Sequence, residues 1–170
     1  TTLLEEHWTS ELGHYRSILN GKAKNGALRG HELNIDIVFA CTYNSLPCFD
    51  ERMLATVAKL RETFEKLYPI NEQDRVLGIG PLIGRYPGDV YDGTVNQGED
   101  MGHPWPLCTA NLARFYYQCI VEIASVPSVT INETMEPFFQ QIGFRQSGKI
   151  DQSSPEYKDL QSALLLAGDK

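Results

Sequence analysis

The stretch TANLARFYYQCIVEIASV, residues 109–126, indicates the fold class of the chain. Its apolar residues recur at steps of three and four, the spacing that lines one face of an α-helix, at Leu112, Phe115, Tyr116, Cys119, Ile120 and Ile123. The run is long enough for about four or five turns, and Pro127 ends it. We therefore expect a long, well-buried helix here.

Similar spacing extends the helical pattern along the chain. It predicts helices over 1–12, 51–68, 133–143 and 154–167, and we interpret 32–42 as helix rather than strand. Pro69 ends the second of these helices, and Gly168 follows the last. No two-residue hairpin signal joins alternating strands. The predicted class is all-α, and the long loops between helices favour a helical toroid over a tight bundle.

Composition excludes several kinds of partner. The chain has 170 residues and is 42% hydrophobic, which suits one globular unit. Its net charge is −7, with Lys and Arg scattered singly, so no nucleic-acid partner is expected. No apolar run approaches the roughly 18 residues of a membrane span, so no membrane partner is expected. The chain opens in mid-pattern, and we expect residues 1–170 to be one domain that is incomplete at both ends.

The four cysteines predict no metal site, because they form no CxxC pair and no His/Cys cluster at zinc-finger spacing. Cys41 and Cys48 flank a short loop, and either a disulfide in an oxidising compartment or two thiols fits this spacing. Cys108 and Cys119 lie in an apolar helical pattern, where buried free thiols are expected.

Residues 77–106 lack helical spacing over thirty positions and are rich in Gly, Pro and Asp. Long ordered loops often carry binding and catalytic groups. Within GRYPGDVYDG, residues 84–93, Pro87 and Gly88 hold Arg85 and Asp89 near each other. The pair either ties the loop internally or also binds a hydroxyl-rich ligand, since both groups retain hydrogen-bonding capacity.

A second unusual segment is GHPWPLCT, residues 102–109, which runs into the long helix. Pro104 and Pro106 restrict the backbone on either side of Trp105. A fixed aromatic beside hydrogen-bonding groups complements a sugar ring, which has apolar faces and a polar rim. The alternative is that Trp105 is a core residue.

These two segments, with ANLARFYYQ after them, resemble the RYPxDxY and NPWxLxT segments of the glucoamylase family, glycoside hydrolase family 15. The resemblance extends to LNIDIVFACTY at 33–43 and ALLLAGDK at 163–170. Gly88 stands where fungal members usually have an acidic residue, a pattern closer to bacterial members. His103 stands where Asn is common.

The resemblance implies part of an (α/α)6 toroid of the six-hairpin glycosidase type. It also implies a glucan 1,4-alpha-glucosidase, which releases glucose with inversion from non-reducing ends of starch, glycogen and maltooligosaccharides without a cofactor. Arg85 and Asp89 match positions that hydrogen-bond the terminal glucose, and Tyr86 and Trp105 match the pocket wall. The family favours a secreted or extracytoplasmic location.

The resemblance places the catalytic acid and base outside this chain, so no catalytic residue is assigned and the segment alone is expected to be inactive. Glu5 and Glu6 are interpreted as part of a solvated helix face. His103 as a general base is the less favoured hypothesis. A non-catalytic glucoamylase-like regulatory or carbohydrate-sensing domain remains an alternative, as does a trehalose or dextran hydrolase.

Overall fold

The computed structural model describes residues 3–19, 33–43, 45–89, 91 and 102–170. Its helices are α1 Leu3–His7, α2 Asp36–Thr42, α3 Glu51–Leu67, α4 Pro69–Val76, α5 Pro106–Ala124, α6 Glu136–Gln141 and α7 Pro155–Asp169. Two small antiparallel hairpins accompany them: β1 Trp8–Thr9 pairs with β2 His14–Tyr15, and β3 Ser128–Ile131 pairs with β4 Gly148–Asp151. The described chain is mostly helical, which confirms the all-α class.

Local chemistry explains where the long helices begin. The Asp50 side chain accepts hydrogen bonds from the backbone N–H groups of Arg52, at 3.1 Å, and Met53, at 3.0 Å, and so caps α3. Trp105 has an extended backbone before α5, and Pro106 occupies the first turn, where its missing N–H costs nothing. Both helices bury the apolar faces that their spacing predicts.

The core lies between these helices. The α5 helix packs against α7 and α2, and α3 packs against α4, α6 and β2. An aromatic cluster fills the space beside α5 and α6, with ring centroids of neighbouring members 5.1–6.3 Å apart, and consists of Phe115, Tyr116, Phe138, Phe139 and Phe144. These rings belong to one continuous hydrophobic core, to which buried residues of α3, α5 and α7 also contribute.

The predicted helix over 1–12 is wrong in its second half. The α1 helix ends at His7, and the chain then forms the β1–β2 hairpin. Trp8 packs edge-on against Tyr15, with centroids 5.3 Å apart, and the Tyr15 backbone N–H donates to Thr56 Oγ1 at 2.9 Å. Contacts with α3 therefore override the local helical spacing.

Other elements also differ from the prediction: α2 begins at Asp36 rather than at 32, and the helix α4, Pro69–Val76, was not predicted. The α6 helix is shorter than 133–143, because Asn132 caps a preceding turn through the Met135 N–H. The β3–β4 hairpin was not predicted, although Val129, Ile131 and Ile150 point inward on it. Gly168 lies inside α7 rather than after it, and is buried. The interval between α4 and α5 agrees with the predicted 77–106 loop, of which 90 and 92–101 lie outside the described residues.

All four cysteines are buried and carry free thiols in this structure, including Cys41 and Cys48. Within the described ranges, no group of three or more His, Cys, Asp or Glu side chains is placed to hold a metal ion. No helix in those ranges is both long and apolar enough to cross a bilayer.

Candidate functional site

An ion pair joins Arg85 to Asp89. Arg85 Nε donates to Asp89 Oδ2 at 2.5 Å, and Nη2 donates to Oδ1 at 2.6 Å, a bidentate geometry. Gly88 between them has φ of 76°, a left-handed conformation that glycine adopts without strain. The Asp89 side chain is 1% exposed, whereas that of Arg85 is 35% exposed. The carboxylate is therefore built into the loop, and the guanidinium reaches the surface.

Both partners keep their charges. Burial by itself raises the pKa of Asp89, but hydrogen bonds from Arg85, the Tyr91 backbone N–H and the Tyr86 side chain bring that pKa below its ordinary value of 3.8. The hydrogen bond to Asp89 raises the pKa of Arg85. An ionised carboxylate can only accept hydrogen bonds, and a guanidinium can only donate them. Asp89 therefore acts only as a hydrogen-bond acceptor, and Arg85 acts only as a donor.

Three aromatic rings surround the Arg85 guanidinium. Its Cζ lies 5.6 Å from the ring centroid of Tyr86, 5.2 Å from that of Tyr91 and 4.7 Å from that of Trp105. Tyr91 and Trp105 stack on each other, with centroids 5.8 Å apart and planes inclined by 17°. All three contacts are within the distance at which a cation is attracted to a ring face. The guanidinium is therefore fixed by aromatic surfaces as well as by Asp89.

Backbone contacts place the two segments side by side. The Ile35 N–H donates to the Arg85 carbonyl at 2.9 Å, and the Trp105 N–H donates to the Ile83 carbonyl at 2.9 Å. Gly102, with φ of 75°, packs so tightly that an added Cβ would collide with the Asp89 backbone. The geometry of the site thus depends on close packing between the loop around Asp89 and the entrance of α5.

The structure brings together the four residues that sequence analysis assigns to substrate binding. Arg85 contacts Tyr86, Asp89 and Trp105 directly. The Trp105 indole Nε1 is buried and has no hydrogen-bond partner among the described residues. Their role in holding a substrate stays a prediction.

Tyr91 is a site residue that sequence analysis does not assign. Its backbone N–H donates to Asp89 Oδ1 at 3.3 Å, while its ring stacks on Trp105 and faces Arg85. The sequence does offer one indication: Tyr91 lies two residues after Asp89, and an aspartate side chain often accepts a hydrogen bond from the backbone N–H two residues later in a turn.

The other candidates lie in different surroundings. Glu5 pairs with Arg52 Nη1 at 2.7 Å and is 53% exposed, and Glu6 is also exposed, in agreement with a solvated face. His103 Nε2 is buried, with no partner in the described part of the chain, and the His103 carbonyl accepts a hydrogen bond from Tyr68.

Comparison with known proteins gives the family. A sequence model described as glycosyl hydrolases family 15 matches residues 7–170. The chain belongs to this family. It is 31% identical over 122 residues to glucoamylase 1 of Rhizopus oryzae, covering 71% of this chain and 20% of that protein. It is 28% identical over 186 aligned positions to glucoamylase of Blastobotrys adeninivorans, covering 98% of this chain and 28% of that protein.

Solved structures give the same fold for this family 15 chain. The family 15 glucoamylase from Hypocrea jecorina superposes with a TM-score of 0.74 at 23% identity, covering 97% of this chain and 27% of that one. Hormoconis resinae glucoamylase superposes with a TM-score of 0.73 at 24% identity, covering 97% of this chain and 28% of that one. The fold is thus part of an (α/α)6 toroid. These relatives are fungal, and the expected closeness to bacterial members stays a prediction.

Proposed function

We propose that the protein is a glucan 1,4-alpha-glucosidase, which releases glucose with inversion from non-reducing ends of α-1,4-glucans. Membership of family 15 carries the proposal, together with the Arg85–Asp89 pair set against aromatic rings. The chain spans 20% and 28% of the length of these two relatives, and the activity is proposed for the whole protein. A secreted or extracytoplasmic location is proposed with it.

The site's chemistry supports a sugar-binding role. The exposed part of the Arg85 guanidinium can donate to sugar hydroxyl oxygens, while the Asp89 carboxylate, whose side chain is 1% exposed, holds that guanidinium in place. The two bonds to Asp89 use two of the five N–H groups of Arg85. Trp105 and Tyr91 add apolar surface next to these charges, which suits the C–H face of a glucose ring.

The same chemistry argues against Asp89 as the general acid. A general acid in a glycosidase needs a raised pKa so that it holds a proton near neutral pH. The pKa of Asp89 is lowered, and both of its oxygens accept hydrogen bonds from Arg85. We therefore propose that Asp89 contributes to substrate binding by holding the Arg85 guanidinium in place. The acid and base, which must stand about 6.5–9.5 Å apart in an inverting enzyme, are proposed to lie outside these 170 residues.

The test is glucose release by the whole protein from maltose, maltotriose and soluble starch. Proton NMR of the first glucose formed from soluble starch should show the β-anomer, because inversion at an α-linkage gives β-glucose. Trehalose and dextran serve as comparison substrates. α-Glucose as the first product would contradict inversion. Maltose binding without release of glucose would instead favour a carbohydrate-sensing domain.

A further inference from the structure

Tyr68 lies at the junction of α3 and α4 and is only 3% exposed. Its ring stacks on Phe64, with centroids 5.4 Å apart and planes inclined by 25°. Its backbone N–H donates to the Phe64 carbonyl at 3.2 Å. The ring is therefore held by the last turn of α3, and its position does not depend on the loop that carries the site.

The Tyr68 hydroxyl contacts both segments that form the site. It donates to the His103 carbonyl at 3.0 Å, two residues before Trp105. It also lies against the open side of Gly84, the residue before Arg85, because a Cβ added to Gly84 would overlap this hydroxyl. That added Cβ would be 3.0 Å from the His103 carbonyl as well. A single hydroxyl thus sits where the two segments meet.

The hydroxyl remains a donor at any pH of interest. Burial, followed by the nearby charge of Asp89, raises the pKa of Tyr68 above its ordinary value of 10.0. A protonated phenol keeps its hydrogen bond to the carbonyl, and a buried carbonyl without a partner is costly. The hydrogen bond therefore links the end of α3 to the segment before α5 without depending on pH near neutrality.

We infer that Tyr68 is a positioning residue of the sugar site, whose hydroxyl sets the spacing between the Arg85 segment and the Trp105 segment. Its effect on sugar binding rests on the proposed function, whereas its effect on geometry does not. Other bonds hold the same segments, including Trp105 N–H to the Ile83 carbonyl and Ile83 N–H to Thr109 Oγ1 at 3.0 Å. Loss of the hydroxyl therefore loosens the site without unfolding the protein.

Tryptophan fluorescence tests the geometry. The 170 residues contain two tryptophans, Trp8 and Trp105. The reporter is the whole protein with Trp105 as its single tryptophan, obtained by replacing Trp8 and any tryptophan outside these 170 residues with phenylalanine. Tyr68→Phe keeps the stacked ring and removes the hydroxyl. We expect acrylamide quenching of Trp105 to rise about twofold, as for a locally loosened segment, with a melting temperature lowered by only a few degrees.

Tyr157→Phe is the matched control, because Tyr157 is also 3% exposed and its hydroxyl has no hydrogen-bond partner among the described residues. It should leave quenching unchanged. Gly84→Ala is a second, independent variant, since its methyl group would overlap the same hydroxyl and displace it. It should raise quenching as Tyr68→Phe does. Unchanged quenching in both variants would overturn the inference.

Maltose titration of the whole protein then tests the consequence. The maltose Kd should rise about five- to tenfold in Tyr68→Phe, near the effect of one lost hydrogen bond, and stay unchanged in Tyr157→Phe. Raised quenching with unaltered maltose affinity would overturn the positioning role in binding. If the parent protein binds no maltose while quenching still rises in Tyr68→Phe, the proposed function fails and the geometric role stands.

Discussion

The Asp89 carboxylate is almost wholly buried, whereas the Arg85 side chain that binds it keeps 35% of its surface exposed. The two members of the pair are therefore unequal. Removing the arginine leaves a negative charge in the interior without its partner, whereas neutralising the aspartate leaves a cation that water can reach. Substitutions at the two positions should have different effects on stability.

Arg85→Ala should lower the free energy of unfolding by about 1–3 kcal/mol, the range for a buried group that loses a hydrogen-bond partner. The free energy of unfolding of Arg85→Lys should lie between those of Arg85→Ala and the parent, because lysine keeps the charge but loses the bidentate geometry. Urea denaturation measures both variants. An Arg85→Ala variant as stable as the parent would show that Asp89 does not need this partner.

Asp89→Asn should remove a pH-dependent part of the stability. The folded pKa of Asp89 lies below its unfolded value, so the ionised group stabilises the fold above the unfolded pKa, near 3.8. That contribution is lost as the pH falls through the folded pKa. The stability difference between parent and Asp89→Asn should therefore be largest above about pH 5 and shrink below about pH 4. Denaturation midpoints from pH 3 to pH 7 measure it, and a constant difference would contradict the ion pair.

Gly102→Ala should destabilise the fold more than Gly143→Ala. Both glycines have positive φ, 75° and 83°, so alanine meets similar backbone strain of about 1–2 kcal/mol at either position. Only at Gly102 would the new Cβ also collide with the backbone of Asp89, since nothing lies within 4 Å of a Cβ at Gly143. We expect an additional loss of about 1–3 kcal/mol at Gly102. Equal losses of stability in thermal unfolding would mean that Gly102 does not pack against the backbone of Asp89.

The cysteines should be protected from thiol reagents. Cys41 Sγ donates to the Pro47 carbonyl at 3.6 Å, and none of the four cysteines is more than 3% exposed. Reaction with a thiol reagent under native conditions should be at least about a hundredfold slower than in denaturant, because it requires local opening. Four thiols should titrate after unfolding in non-reducing buffer. A count of two would indicate a disulfide, and peptide mapping would show whether it joins Cys41 to Cys48.

Long periodic segments were predictable from the sequence. The helices predicted at 51–68, 109–126 and 154–167 are found at Glu51–Leu67, Pro106–Ala124 and Pro155–Asp169. Each buries one continuous apolar face, so local spacing and tertiary packing agree. The β1–β2 hairpin was not predictable in this way, because the Tyr15 N–H bonds Thr56, 41 residues away, and no local signal reports such a partner.

The same distinction between local and long-range contacts applies to the candidate site. Arg85 and Asp89 are four residues apart, and a proline and a glycine between them already favour a turn. The stacking of Tyr91 on Trp105 joins two segments, and the hydrogen bond from Tyr68 to His103 spans 35 residues. These contacts depend on where α3 ends and α5 begins, so spacing within either motif does not indicate them.

The order of contacts in the Arg85–Asp89 turn has a kinetic consequence. The ion pair closes a very short segment, whereas the bond from Ile35 to the Arg85 carbonyl closes one of fifty residues. Short closures cost less chain entropy and form sooner. The turn can therefore take its internal shape early in folding and be docked later as a preformed unit. Substitutions at Gly102 or Tyr68 would then slow docking while leaving the turn itself intact.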